Sequence, residues 1–131
     1  MDSTLSRFAW LGHAALRIVS GFLFACHGAQ KVFGAFGGFG DAGGPAGMGS
    51  LPWIAGVIEL IGGTLIALGV RTQLVAFICS GEMAAAYFMA HQPHGLLPIQ
   101  NHGELAVSYC FIFLFLATNG GGTLSLERGG R

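Results

Sequence analysis

The chain reads as an all-α protein, an integral membrane four-helix bundle forming a single transmembrane domain over residues 1–131. Three observations predict this. Hydrophobic residues make up 53% of the sequence and charged residues only 9%, against about 25% charged in a soluble domain. Four apolar runs approach the roughly 20 residues that cross a hydrocarbon core. The 23 glycines suit helices in lipid, which associate by close backbone approach because burial from water no longer drives them together. The length allows one domain. Net charge is zero with no basic patch, which argues against a nucleic-acid partner.

The first run covers about 11–30. Its "LFAC" at 23–26 is similar to a lipoprotein cleavage box. Arg17 interrupts the apolar stretch before it, however, and Phe24 is bulky where a small residue is preferred, so the segment is expected to remain a helix. A glycine-rich connection, "FGAFGGFGDAGGPAGMGS", leads to "LPW" and the second run at 51–68; proline near the start and an interfacial tryptophan mark a helix beginning at the membrane surface. Only "GVRTQ" separates it from the third run, 74–89, which is expected to extend to His91 and to be disrupted at Pro93. After "HQPHGLLPIQNHG" comes the fourth run, 104–117, extending to Asn119.

With four spans, both termini and the short second loop share one side. That side holds Arg7, Arg71, Arg128 and Arg131, with Arg17 near it, whereas the other holds Lys31. The excess of positive charge places both termini in the cytoplasm and the histidine-rich third loop outside.

Ionisable residues inside these runs carry the functional signal. Arg17, Gly21, Phe24, His27 and Lys31 recur at spacings of three or four and form one helical stripe. Glu59 lies about 12 Å into the second helix at about 1.5 Å per residue. Glu82 sits near the middle of the third, with Met83, Tyr87 and His91 following along that helix. A carboxylate at mid-bilayer costs about 3 kcal/mol, so Glu59 and Glu82 need protons, partners or a wet cavity. Matching depths predicts an outer-half pocket of His27, Lys31, Glu59, His91 and Glu104, with Glu82 and Tyr87 below. Glu59 has Lys31 and Arg17 as alternative partners. The rival reading is that these groups bond to one another and only fix the packing.

Metal or haem is the weaker reading of the five histidines. His91 and His94 stand three apart, but no HExxH or Cys/His ligand spacing is present. Cys26, Cys79 and Cys110 form no CxxC and sit in apolar runs, as small buried hydrophobes do. "GFGDAGG" follows no strand, which argues against phosphate binding.

Longer blocks carry a resemblance. "HGAQKVFG", "GVIELIGGTLIALGVRTQLVA", "EMAAAYFMAHQPHGLLPIQNHGELAVSYCFIFLFLA" and the final "GGGTLSLE" together resemble the DoxX family of small bacterial inner-membrane proteins, from Arg17 to Glu127. That family more often has Asp where this chain has Glu127. The resemblance implies a four-helix fold in the bacterial cytoplasmic (inner) membrane and redox work there: one branch is part of a thiosulfate:quinone oxidoreductase, and others are linked to thiol and superoxide defence. Its motifs fall on His27, Lys31, Glu59, His91 and Glu104. The resulting expectation is a redox-associated subunit binding a quinone-like molecule. His27 or Lys31 would hydrogen-bond a ring carbonyl and Glu59 would relay a proton. No electron carrier is evident, so a protein partner would supply electrons. The alternatives are a non-catalytic anchor or assembly partner of a redox complex, and a small-solute transporter built as a homo-oligomer.

Overall fold

Each apolar run carries local signals for where its helix begins and ends. In a computed structural model of the protein, which describes residues 2–127, a short helix α1 (Asp2–Ser6) precedes α2 (Ala9–Phe33). The latter stops at Gly34, whose left-handed φ of 70° turns its N–H back to the carbonyls of Ala29 and Gln30. Helix α3 (Leu51–Leu68) starts at Ser50, whose hydroxyl accepts the Trp53 N–H at 3.4 Å, with Pro52 in the first turn, where a missing N–H costs nothing. It ends at Gly69, φ 70°.

Helix α4 (Thr72–Ala86) continues as a π-helical turn at Tyr87–His91 and a 3-10 turn at Gln92–His94 around Pro93. The expected disruption is thus a loosening of the helix that begins before the proline. A single turn, α5 (Pro98–Asn101), leads to α6 (Glu104–Asn119).

Every regular element among the described residues is helical. Residues 9–33, 51–68 and 72–94 are long and apolar enough to cross a membrane, while α6 is apolar but shorter. Its 16 residues rise about 24 Å, against about 30 Å of hydrocarbon. Large apolar side chains such as Phe22, Ile61, Phe77 and Phe111 are exposed on the outside of the helices, as a lipid-facing surface requires. The protein is a multi-pass membrane protein. Two of the arginines counted for orientation, Arg128 and Arg131, lie outside the described residues.

The helices pack as two pairs. Helices α2 and α3 meet through Gly21 and Gly28 on one and Gly56 and Gly63 on the other. A Cβ at Gly21 would lie 2.6 Å from the Ala67 nitrogen, one at Gly28 2.6 Å from the Gly56 oxygen, and one at Gly63 2.5 Å from the Gly21 oxygen. Backbone touches backbone, the close approach that glycine permits in lipid. Helix α4 meets α6, and Ser80 donates to the Cys110 carbonyl at 2.7 Å. Between the pairs lies a core of Phe24, Ile66, Cys79, Met83, Tyr109, Phe113 and Leu116. Cys79 is buried there, Cys26 and Cys110 are half-buried, and all three are free thiols.

One end of the bundle is closed by a hook formed by residues 120–127. Leu126 and Glu127 donate backbone N–H groups to the carbonyls of Leu68 and Gly69, at 2.9 and 2.8 Å. Beneath them Arg17 is fully buried. Its Nε donates to Gly121 (2.8 Å), Nη1 to Ile66 and Ala67 (3.0 and 2.6 Å), and Nη2 to Thr123 and Leu124 (3.2 and 2.6 Å). Ile66 and Ala67 belong to the last turn of α3, whose carbonyls have no partner within the helix. Glu127 caps the next helix: its Oε2 accepts the Thr72 N–H at 3.2 Å. Arg71, in the capping position with φ 48°, makes no side-chain cap.

Candidate functional site

At the opposite end the two helix pairs part around a cavity of about 540 Å³. Four of the predicted residues line it from three helical stretches: His27 and Lys31 on α2, Glu59 on α3 and Glu82 on α4. His91, on the π-helical turn, is a fifth.

Lys31 Nζ donates to Glu59 Oε1 at 2.7 Å, with the lysine side chain 22% and the glutamate side chain 2% exposed. This settles the choice of partner, since Arg17 is engaged in the hook. The pairing follows from a glycine. Gly56 precedes Glu59 by about a turn of α3, and a Cβ there would stand 2.6 Å from Lys31 Cβ. The missing side chain lets the lysine stem lie against α3 and deliver its ammonium to Glu59. The Lys31 carbonyl also accepts the Ala46 N–H at 2.7 Å, which ties the glycine-rich loop to the same spot.

The pair is incomplete. Glu59 Oε2 and Glu82 Oε2 are both buried and receive no N–H or hydroxyl donor among the described residues, and the two carboxyl groups lie within hydrogen-bonding reach of each other. In hydrocarbon an unsatisfied polar group costs several kcal/mol. Around these atoms the wall is apolar, including Phe24, Ile58, Met83 and Met89. His27 meets Tyr109 edge to face, centroids 6.1 Å apart at 83°. His91 Nδ1 lies 3.2 Å from the Asn101 carbonyl.

Two predicted residues stand outside the cavity lining. Tyr87 stacks on His91, centroids 6.4 Å apart, and its hydroxyl accepts from Asn101 Nδ2 at 3.1 Å. Asn101 is 3% exposed. It also donates to the Gly95 carbonyl and accepts the Gly103 N–H, at 3.0 and 2.9 Å. Tyr87 therefore braces the third loop behind His91. Glu104 is exposed in the first turn of α6, where a carboxylate is favoured by the positive end of the helix dipole. The residues turned toward the cavity at this point are His102, Leu105, Ala106 and Tyr109. Sequence reasoning missed the role of Tyr109 and the bracing by Asn101. The signal available for Tyr109 was the spacing of three or four from His102 through Leu105 and Ala106.

Three of the five histidines, His27, His91 and His102, line the cavity, and the other two lie away from it. His13 lies at the hook end, its Nε2 3.0 Å from the Gly120 carbonyl, and His94 is exposed. Among the described residues no three His, Cys, Asp or Glu side chains converge as a metal-ligand set. What the cavity offers is an apolar slot with one polar wall, on which an ammonium, two carboxyl groups and imidazoles face a single space. A flat, mostly apolar molecule with a polar head fits that arrangement.

Comparison with known proteins agrees with the helical framework. The family profile described as DoxX matches residues 12–92. An "Uncharacterized protein" of Haemophilus influenzae is 40% identical over 121 residues, covering 87% of each chain. A Bacillus subtilis protein named "Putative oxidoreductase CatD" is 28% identical over 120 residues, covering 89% of this chain and 85% of that one. No solved structure matches.

Proposed function

Starting from the fact that the chain belongs to the DoxX family, we propose that it is a redox-associated subunit of the bacterial inner membrane whose cavity holds the head group of a quinone-type molecule. One observation carries this reading: two buried carboxyl groups, within hydrogen-bonding reach of each other, stand beside a paired lysine in an otherwise apolar cavity. Such a wall suits a ligand that is apolar over most of its surface and exchanges protons at its polar end. The rim carries exposed Leu51, Ile54, Met89 and Leu105, which suits a ligand arriving from the bilayer. The name of the Bacillus subtilis relative is of the same kind.

On this reading both termini lie in the cytoplasm and the cavity opens in the outer half of the membrane. A ring carbonyl accepts from Lys31 or His27. Reduction to the dihydroxy form takes two electrons, supplied by a protein partner, and two protons, which Glu59 and Glu82 pass to the ring oxygens. Glu104 lies at the neighbouring surface, and Tyr87 holds His91 from behind.

The rival readings have less support. The glycines of "ELIGGTLIALG" that would serve an anchor are turned inward, Gly63 onto α2, Gly62 onto Cys79 and Gly69 onto Ser125 of the hook. A transporter needs a continuous path, and beneath the cavity Phe24, Ile66, Phe113 and Leu116 are each at most 1% exposed. The test is a titration of the purified protein in nanodiscs with a short-chain quinone. Saturable binding is expected, weakened about fivefold or more in His27→Ala by loss of one hydrogen bond. Absence of binding by folded protein refutes the proposal.

A further inference from the structure

The cavity wall holds one ammonium and two carboxyl groups, and their arrangement bears on how many protons they carry. Glu59 and Glu82 come from different helices, are both buried at Oε2, and lie within hydrogen-bonding reach of each other. Two ionised carboxylates can only accept, so at that separation they repel and neither offers the other a donor. A single proton between them turns the repulsion into a charge-assisted hydrogen bond. The charges then balance as well. Lys31 contributes one positive charge, one carboxylate one negative, and the second carboxyl is neutral, as burial in hydrocarbon favours.

The geometry also tells the two groups apart. Lys31 Nζ stands 2.7 Å from Glu59 Oε1, which marks Glu59 as the charged member and leaves the proton to Glu82. Exposure points the same way: Glu59 is 1% exposed, whereas Glu82 is half-buried and lines the cavity. The other titratable groups turned toward this region are His27 on α2, Cys79 on α4, His91 on the π-helical turn, and His102 and Tyr109 beside α6. None of them donates to either carboxyl.

We propose that Glu59 and Glu82 share one proton, that it resides on Glu82, and that Glu82 exchanges it with the cavity while Glu59, held by Lys31, is a positioning residue. In the exchange the Glu82 O–H bond breaks, the proton passes to a basic atom of the ligand, and Glu82 is left as a carboxylate. The site then bears one excess negative charge in hydrocarbon, so the proton is replaced before a second is given. This is a property of the protein without ligand and does not depend on the quinone-type reading.

The test is the infrared spectrum of the full chain at neutral pH in a maltoside detergent, which has no ester carbonyl to mask an un-ionised carboxyl. Labelling glutamate at its side-chain carboxyl with heavy carbon separates its bands from those of aspartate. The chain has four glutamates. The label-sensitive band of an un-ionised carboxyl is expected to account for one of them and to shift in deuterated buffer as its proton exchanges. No such band, a band worth two glutamates, or a band that resists exchange overturns the proposal without recourse to any variant. Glu82→Gln is expected to lose the band and Glu104→Gln to keep it, and the reverse for either counts against the assignment. Glu59→Gln separates sharing from burial alone. With the Glu59 carboxylate gone, Lys31 is left with Glu82 as its counter-ion, and the band is expected to disappear although Glu82 remains. A full band in folded Glu59→Gln protein overturns the shared proton. Because no ligand is added, each of these failures leaves the quinone-type reading standing, and failure of the quinone titration leaves the shared proton standing.

Discussion

At one end of the bundle Arg17 commits its guanidinium to five backbone carbonyls; at the other, Glu59 commits one oxygen to Lys31 and has only a second carboxyl group, that of Glu82, beside it. Both residues are essentially inaccessible, at 0% and 1% exposed, and both face the cost of burying charge in lipid. The hook end meets that cost by exhausting the hydrogen-bonding capacity of the group. Its carbonyl partners belong to a helix end and a returning loop, which have need of donors. The cavity end meets the cost with one ion pair and two neighbouring carboxyl groups. Burial of an ionisable group is thus no guide to its role. What separates the ends is whether every buried polar group finds an N–H or hydroxyl partner in the protein.

The largest test of this contrast is Arg17→Ala. It orphans buried carbonyls in α3 and in the hook at once, and a loss of about 4 kcal/mol or more is expected, read as collapse of the thermal transition in detergent. Arg17→Lys should recover less than half of it, since an ammonium presents three donors where the guanidinium has five. A mild Arg17→Ala phenotype would break the comparison.

Next comes Gly28→Val, which drives a side chain into the Gly56 oxygen and the Leu60 backbone. Overpacking of this kind costs about 2 kcal/mol. By spreading α2 from α3 it should also separate Lys31 from Glu59 and abolish ligand binding. Gly12→Ala is the control, having nothing within 4 Å of the new Cβ, and should be neutral or stabilising by up to about 1 kcal/mol. Glu127→Ala removes the cap on Thr72 and is expected to lower stability by about 1 kcal/mol without changing ligand affinity. Retained affinity there would sharpen the division between the ends. The smallest effect is expected for Glu104→Gln, within about 0.5 kcal/mol of wild type and with binding unaltered. Loss of binding in that variant would move the polar wall to a surface the structure turns outward.

The sequence was most informative where a property belongs to one helix at a time. Pro52 and Trp53 marked the start of α3, which begins at Leu51. The depth of Glu59 matched that of His27 and Lys31 because rise per residue is constant. Facing direction near an irregular segment was less legible. Tyr87 was placed below the pocket by a spacing of four, but the π-helical turn that begins there leaves it against Asn101. Glu104 shares the depth of the cavity but not its face. Asn101 gave no signal, because its value lies in bonds to Tyr87, Gly95 and Gly103 that only a folded loop brings together.

Composition and periodicity by themselves determined that this protein is helical, that it lies in a membrane, and which ionisable residues must find an answer to burial. Those are consequences of transfer energies and helix geometry, which act on each segment alone. Only the tertiary structure decided which answer each received: Arg17 against carbonyls 49 to 107 residues away, and Lys31 against Glu59 across a gap left by Gly56. Partner choice depends on distances between segments, and those are set by the glycine contacts and the hook, which exist only once the helices have packed.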